Sequence, residues 1–140
     1  MSRYEVIIEH YAKVLHIEAM TMLEMANKQL IPAATAYMSD VAGAAAAKMA
    51  VSEKLSCKAE NKVLEKLSAA TDAMSDAVDA LDAAVESAES ETDSLEKAKA
   101  YRDKVLPAMA DLRTNADAAE VVCGEDYWPL PGYSKMLYYV

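Results

Sequence analysis

The stretch Ser2–Tyr37, SRYEVIIEHYAKVLHIEAMTMLEMANKQLIPAATAY, holds no Gly and one Pro, and its apolar residues recur at helical spacing almost to the end. Ser2-Arg3-Tyr4-Glu5 is a capping box, a start signal in which the Ser and Glu side chains each satisfy an orphan amide. From there the helical pattern runs to about Val51, a rod of roughly 70 Å at 1.5 Å per residue. Tyr4, Ile8, Tyr11, Leu15 and Met22 fall on one stripe, with Ile7, Val14 and Met25 beside it. This stripe is the expected core face. Further on, Leu30, Tyr37 and Val41 shift the stripe around the axis, so successive parts of the rod should face different partners. Pro32 removes one backbone bond and predicts a kink near Lys28–Ile31. Gly43 and the alanines of 42–47 make a side-chain-poor section that either admits a close neighbour or frays.

Outward from this rod the same logic holds. Residues 52–58 read as a turn, and a second helix is expected over 59–90. Val63, Leu67, Ala70, Met74, Ala77, Leu81, Val85 and Ala88 step by threes and fours, a bundle seam. A second capping box, Asp93-Ser94-Leu95-Glu96, opens a third helix over 93–123. Its stripe is Tyr101, Val105, Ala108, Met109, Leu112, Ala116 and Cys123. Pro107 should bend it, and Gly124 suits a C-terminal stop. QLIPA (29–33) and KVLPA (104–108) look alike, which is slender evidence for an internal repeat. The last segment, 125–140, holds five of the nine aromatic residues and two of the four prolines. Such a tail should dock on the bundle or on a partner. The reading is therefore all-α: a single domain, an antiparallel three-helix bundle with a long kinked first helix and an aromatic C-terminal tail.

Composition narrows the function classes. A chain of 140 residues is long enough for one core without staples. The net charge is -9. Between Lys66 and Lys97 stand nine acids and no base, from Asp72 to Glu96. That balance repels phosphate backbones and argues against nucleic acid. The acidic run is singly spaced and lacks the Gly turn of a calcium loop, so it reads as a solvated face. Cys57 and Cys123 stand apart with no partner at metal spacing, and no signal peptide precedes them; both features fit a reducing cytoplasm. No apolar run reaches the roughly 18 residues of a membrane span.

No motif carries chemistry. His10 and His16 lie about 120° apart around a helix. Neither follows a Glu by three residues, as a di-iron bundle requires. His16-Ile17-Glu18 echoes the deaminase H-x-E, but no P-C-x-x-C follows. Phosphate loop, nucleophile elbow and Cys/His dyad are absent. No catalytic, cofactor-binding or metal-ligating residue is therefore assigned. The methionines Met20, Met22, Met25, Met38 and Met49 read as core filling rather than an adaptable surface. Glu18 falls within the stripe of Tyr11, Val14, Met22 and Met25. A carboxylate there should be buried and paired, with Arg102 or Arg113 as candidates, or capped by a hydroxyl such as a tyrosine's, or set at a subunit boundary. Glu18, Tyr127, Trp128, Tyr133 and Tyr138 are the interface candidates.

Several segments resemble, in order, the C-terminal helical region of type III glutamine synthetases: SRYEV (2–6), 9–11, HIEAMTMLEMA (16–26), QLIPA (29–33), YRDKVLPAMADLRTNADAAE (101–120) and DYWPLPGYSKMLYYV (126–140). Trp128, Pro129, Pro131 and Tyr133 stand at matching places; the second helix matches mainly in pattern. The resemblance implies a non-catalytic domain that braces its parent enzyme and contributes to subunit assembly. That parent joins ammonia to glutamate using ATP and a divalent metal, and forms a ring-based homo-oligomer. Its catalytic strands and loops lie upstream, so none of its catalytic residues carries over. The expected partners are the catalytic domain of the parent and further copies of the chain; the chain is expected to be an excised or separately encoded piece. A free-standing helical protein-interaction adaptor is the alternative, and a small ferritin-type metal enzyme a third reading.

Overall fold

The computed structural model describes residues 2–130. Ser2 Oγ accepts the Glu5 amide at 3.1 Å and starts α1, Arg3–Met25. The helix then widens into a π segment, Ala26–Leu30, and resumes as α2, Ile31–Val51. These pieces form the first rod. After a turn, α3 (Lys58–Glu89) is the second rod. The third begins at Asp93, whose carboxylate accepts the Glu96 amide at 3.1 Å. It comprises α4 (Ser94–Ala100), a second π segment (Tyr101–Val105) and α5 (Leu106–Val122). The described residues thus form three helical rods.

The two π segments have a common cause. Each ends two residues before a proline, Pro32 or Pro107. Proline has no N–H to donate, and its ring presses on the carbonyl four residues back. In the wider register the Ile31 amide reaches Ala26 O, and the Leu106 amide reaches Tyr101 O, each five residues back. The helix thereby runs through both prolines. QLIPA and KVLPA are the sequence trace of this shared device.

The rods meet as follows. At one end of the first rod, Lys48 Nζ lies 2.5 Å from Glu60 Oε1, and the Cys57 thiol meets Ala45 O at 3.6 Å. At its other end, Ser94 Oγ donates to Glu9 Oε1 at 3.1 Å. The main packing is α3 against α5 and α2, with α1 lying on α4. The core holds Leu67, Met74, Leu81, Tyr101, Val105 and Leu112, all closed to solvent or nearly so. Most of the seams expected for the second and third helices are buried, with Val63, Ala70, Ala108 and Ala116 half-buried; Thr71 joins them, its hydroxyl donating to Leu67 O at 2.7 Å.

The first rod departs from expectation. Of Tyr4, Ile8, Tyr11, Leu15 and Met22, only Leu15 is buried. The buried face is Ala12, Leu15, Ala19, Leu23, Ala26, Leu30 and Ala34. Alanines at Ala12, Ala19, Ala26 and Ala34 let the neighbouring backbones come close, and interior packing density then leaves no room for tyrosine rings. Tyr4 (61%), Ile7 (59%), Tyr11 (38%) and Val14 (38%) remain exposed. The alanine-rich 42–47 section is mostly exposed as well, and a Cβ added at Gly43 would touch nothing within 4 Å.

Gly124 also acts differently from the expected left-handed stop. No described glycine has a positive φ. Its missing side chain instead admits the Tyr37 ring, whose Cε1 would lie 2.8 Å from an added Cβ. Gly124→Ala should therefore destabilise the fold by about 1 kcal/mol through overpacking. Leu81→Ala should cost about 2–5 kcal/mol through the cavity it leaves. Val121→Ala, at an 86% exposed site, should stay within about 0.5 kcal/mol. Urea denaturation of the three variants checks this ranking.

Candidate functional site

The strongest polar constellation joins all three rods. The second π segment carries Tyr101, whose ring is fully buried. Its hydroxyl donates to Glu89 Oε1, at the last residue of α3. His16 of α1 brings Nδ1 to 2.9 Å from the Tyr101 hydroxyl and 3.3 Å from Glu89 Oε1. Lys97 of α4 reaches Glu89 Oε2 at 3.5 Å. Counting protons settles the histidine's role. The single phenolic hydrogen goes to Glu89, so His16 must donate from Nδ1.

Burial, and then the hydrogen bond to Glu89, push the Tyr101 phenol well above its ordinary value. The phenol's hydrogen bond in turn holds the Glu89 carboxyl below the usual carboxylate range. Tyr101 therefore stays protonated and cannot serve as a base near neutrality. Beside the network lies a cleft of about 350 Å³, lined by Glu9, Lys13, His16, Glu89, Ser94 and Lys97 among others. Both Glu89 oxygens are already engaged, and the Ser94 hydroxyl lining the cleft is tied to Glu9 of α1. The arrangement is suited to fastening α1, α3 and α4 together.

The remaining candidates are placed as follows. Glu18 is exposed, contrary to the expected burial. Arg102 is taken up by its neighbour Asp103, at 2.8 and 3.1 Å, and Arg113 is exposed. The apolar stripe around Glu18 is split: Met22 and Met25 are half-buried against the core, whereas Tyr11 and Val14 are exposed. Trp128 is buried against the bundle, and among the described residues its indole N–H meets no acceptor. Tyr127 is 37% exposed; its ring packs on Tyr37 at 5.0 Å and its hydroxyl donates to Asp40. Tyr133 and Tyr138 lie outside the described residues. His10 is exposed. Among the described residues no three His, Cys, Asp or Glu side chains converge as metal ligands, and no helix is long and apolar enough to cross a membrane. Cys57 and Cys123 are both free, the first half-buried and the second buried.

The sequence presents Tyr101 only as one member of an apolar stripe, Glu89 as one of nine acids, and His16 as a histidine outside any metal spacing. One clue was available: Tyr101 is the sole phenol in an otherwise aliphatic stripe, and a buried phenol needs a partner.

A helical bundle whose polar cluster fastens rods is the class this geometry defines. Residues 1–49 match the family described as the glutamine synthetase C-terminal domain. The chain is 36% identical over 137 residues, 98% of its length, to glutamine synthetase of Butyrivibrio fibrisolvens, covering 20% of that protein. It is 25% identical over 140 residues to glutamine synthetase of Bacteroides fragilis (strain YCH46), covering 19% of it. The resemblance to the C-terminal domain of glutamine synthetases thus holds across the chain, which spans about a fifth of the length of these curated relatives. No solved structure matches it.

Tyr101→Phe keeps the ring but strips the hydroxyl that Glu89 and His16 share, and should cost about 1–2 kcal/mol in thermal or urea unfolding. Glu89 titrates lower in the fold than in the open chain. Its contribution is therefore present above the ordinary value of 4.5 and lost as pH falls below it. The melting temperature should drop as pH falls below about 4.5, with a shallower slope in Glu89→Gln; equal slopes would remove Glu89 from the acid response.

Proposed function

We propose that this chain is the non-catalytic C-terminal helical domain of a type III glutamine synthetase, bracing the enzyme and contributing to subunit assembly. In this reading the three rods run antiparallel, the first bends at its π segment, and the whole forms a stiff cytoplasmic unit beside the catalytic part. The observation that carries it is near-complete coverage of this chain against only about a fifth of each relative. The Tyr101–Glu89–His16–Lys97 cluster supports it by holding polar groups in a fastening role. ATP-dependent ligation of ammonia to glutamate, and the divalent metal it uses, belong to the upstream part. The donor set here does not suit such a metal, because no three ligand-type side chains converge among the described residues. A free-standing adaptor is the second reading, favoured by the exposed apolar face of α1.

The test is the solution mass of the longer enzyme with and without residues 2–140, by light scattering. The intact enzyme should form the large assembly. The truncated one should fall to smaller species, and the separately expressed domain should restore the assembly. Unchanged mass and unchanged glutamine formation on truncation would discard the brace and leave the adaptor.

A further inference from the structure

The exposed face of α1 has a regularity that the core does not use. Exposed Tyr4, Ile7, Tyr11 and Val14, then Glu18, Thr21 and Met25, the last half-buried against the core, fall on a strict three–four alternation. That is a coiled-coil seam about 32 Å long. It lies roughly 100° around the helix from the buried Ala12–Leu23 face, so a neighbour can approach without disturbing the core. Thr21 Oγ1 donates to Ile17 O at 2.9 Å, which leaves its methyl group to pack.

We propose that α1 pairs antiparallel with α1 of a second copy of this chain, with Tyr11 of one against Val14 of the other. Charge complementarity selects both the occupant and the direction. In this register Tyr4 meets the partner's Thr21, and Ile7 meets the partner's Glu18. Arg3 then flanks the partner's Glu24. Two-fold symmetry repeats each contact. Glu24 is two-thirds exposed and bound only to the equally exposed Lys28 at 3.2 Å, so it is free to turn to an arginine. Glu18 falls between the partner's Tyr4 and Tyr11, either of whose hydroxyls can donate to it. A parallel pair would set Glu18 against Glu18 in the seam and match no opposite charges at its flanks. A lone polar seam residue is a known means of choosing register and direction. The proposal rests on the assembly reading and names the surface that serves it.

Sedimentation of the full chain across about 1–100 µM tests it. The wild type should dimerise. Val14→Asp, at an exposed site, should fold normally by circular dichroism yet bind itself at least about 100-fold more weakly, because two carboxylates would enter an apolar seam. Arg3→Glu and Glu24→Arg should each weaken pairing, since each sets like charges together. Mixed in equal amounts, these two variants should form heterodimers, a rescue that no folding defect imitates. A wild type monomeric throughout, a dimer indifferent to Val14→Asp, or charge variants with no preference for each other would each overturn the proposal. A monomeric chain that still restores the large assembly of the truncated enzyme would sink this surface and spare the assembly reading. A seam-dependent dimer that restores nothing would do the reverse.

Discussion

A phenol ring sealed inside a bundle must still find a partner for its hydroxyl, and Tyr101 meets that demand at a place where side chains of all three rods converge. Its ring is part of the core, yet its oxygen ends among Glu89, His16 and Lys97. An unpaired hydroxyl there would cost more than the net worth of one hydrogen bond, because burial removes water as a substitute. The contact therefore constrains three elements at once. The end of α3 must present Glu89, α1 must present His16, and α4 must hold Lys97 within reach.

The π segment is what aims Tyr101. Pro107 cannot donate, and its ring strains the turn behind it, so the helix widens over Tyr101–Val105. The same event at Pro32 rotates the first rod over Ala26–Leu30, carrying the buried line from Leu23 through Leu30 to Ala34. Two prolines that look like interruptions thus adjust the angular position of side chains along continuous helices. Elsewhere the polar contacts are peripheral. Lys48–Glu60 pins the turn between the first two rods, and mutual hydrogen bonding lifts the lysine and lowers the carboxyl. Tyr127 and Asp40 fasten the start of the tail, and that bond raises the phenol.

Function follows from what this economy leaves over. The core takes its fully buried apolar contacts from alanine and leucine on the first rod, so Tyr4, Ile7, Tyr11 and Val14 of α1 stay outside it. An apolar stripe of tyrosine, isoleucine and valine on a water-facing helix has a cost in solubility unless another surface covers it. Acids on α3, among them Asp72, Asp76, Asp79 and Asp82, offset that cost by keeping their side of the bundle charged. One face stays solvated by charge while another is available for assembly.

Helical class, rod limits, the N-caps Ser2 and Asp93 and most of the seams of the second and third helices were legible in the chain by itself. They depend on spacing and local hydrogen bonding within a few residues: Ser2 with Glu5, Asp93 with Glu96, Leu67 through Ala88. Which of two apolar stripes on the first rod goes inward was not legible, because both have helical periodicity. Only the close approach of a neighbouring backbone favours Ala12, Ala19 and Ala26 over Tyr4, Tyr11 and Val14. Glu18 was misjudged for that reason: its stripe was read rightly and its side of the helix wrongly. The Tyr101–His16 contact, across 85 residues, was equally hidden. Local sequence states which side chains can share a face. Which face is covered is decided by volume and polar satisfaction, and those exist only once the rods have met.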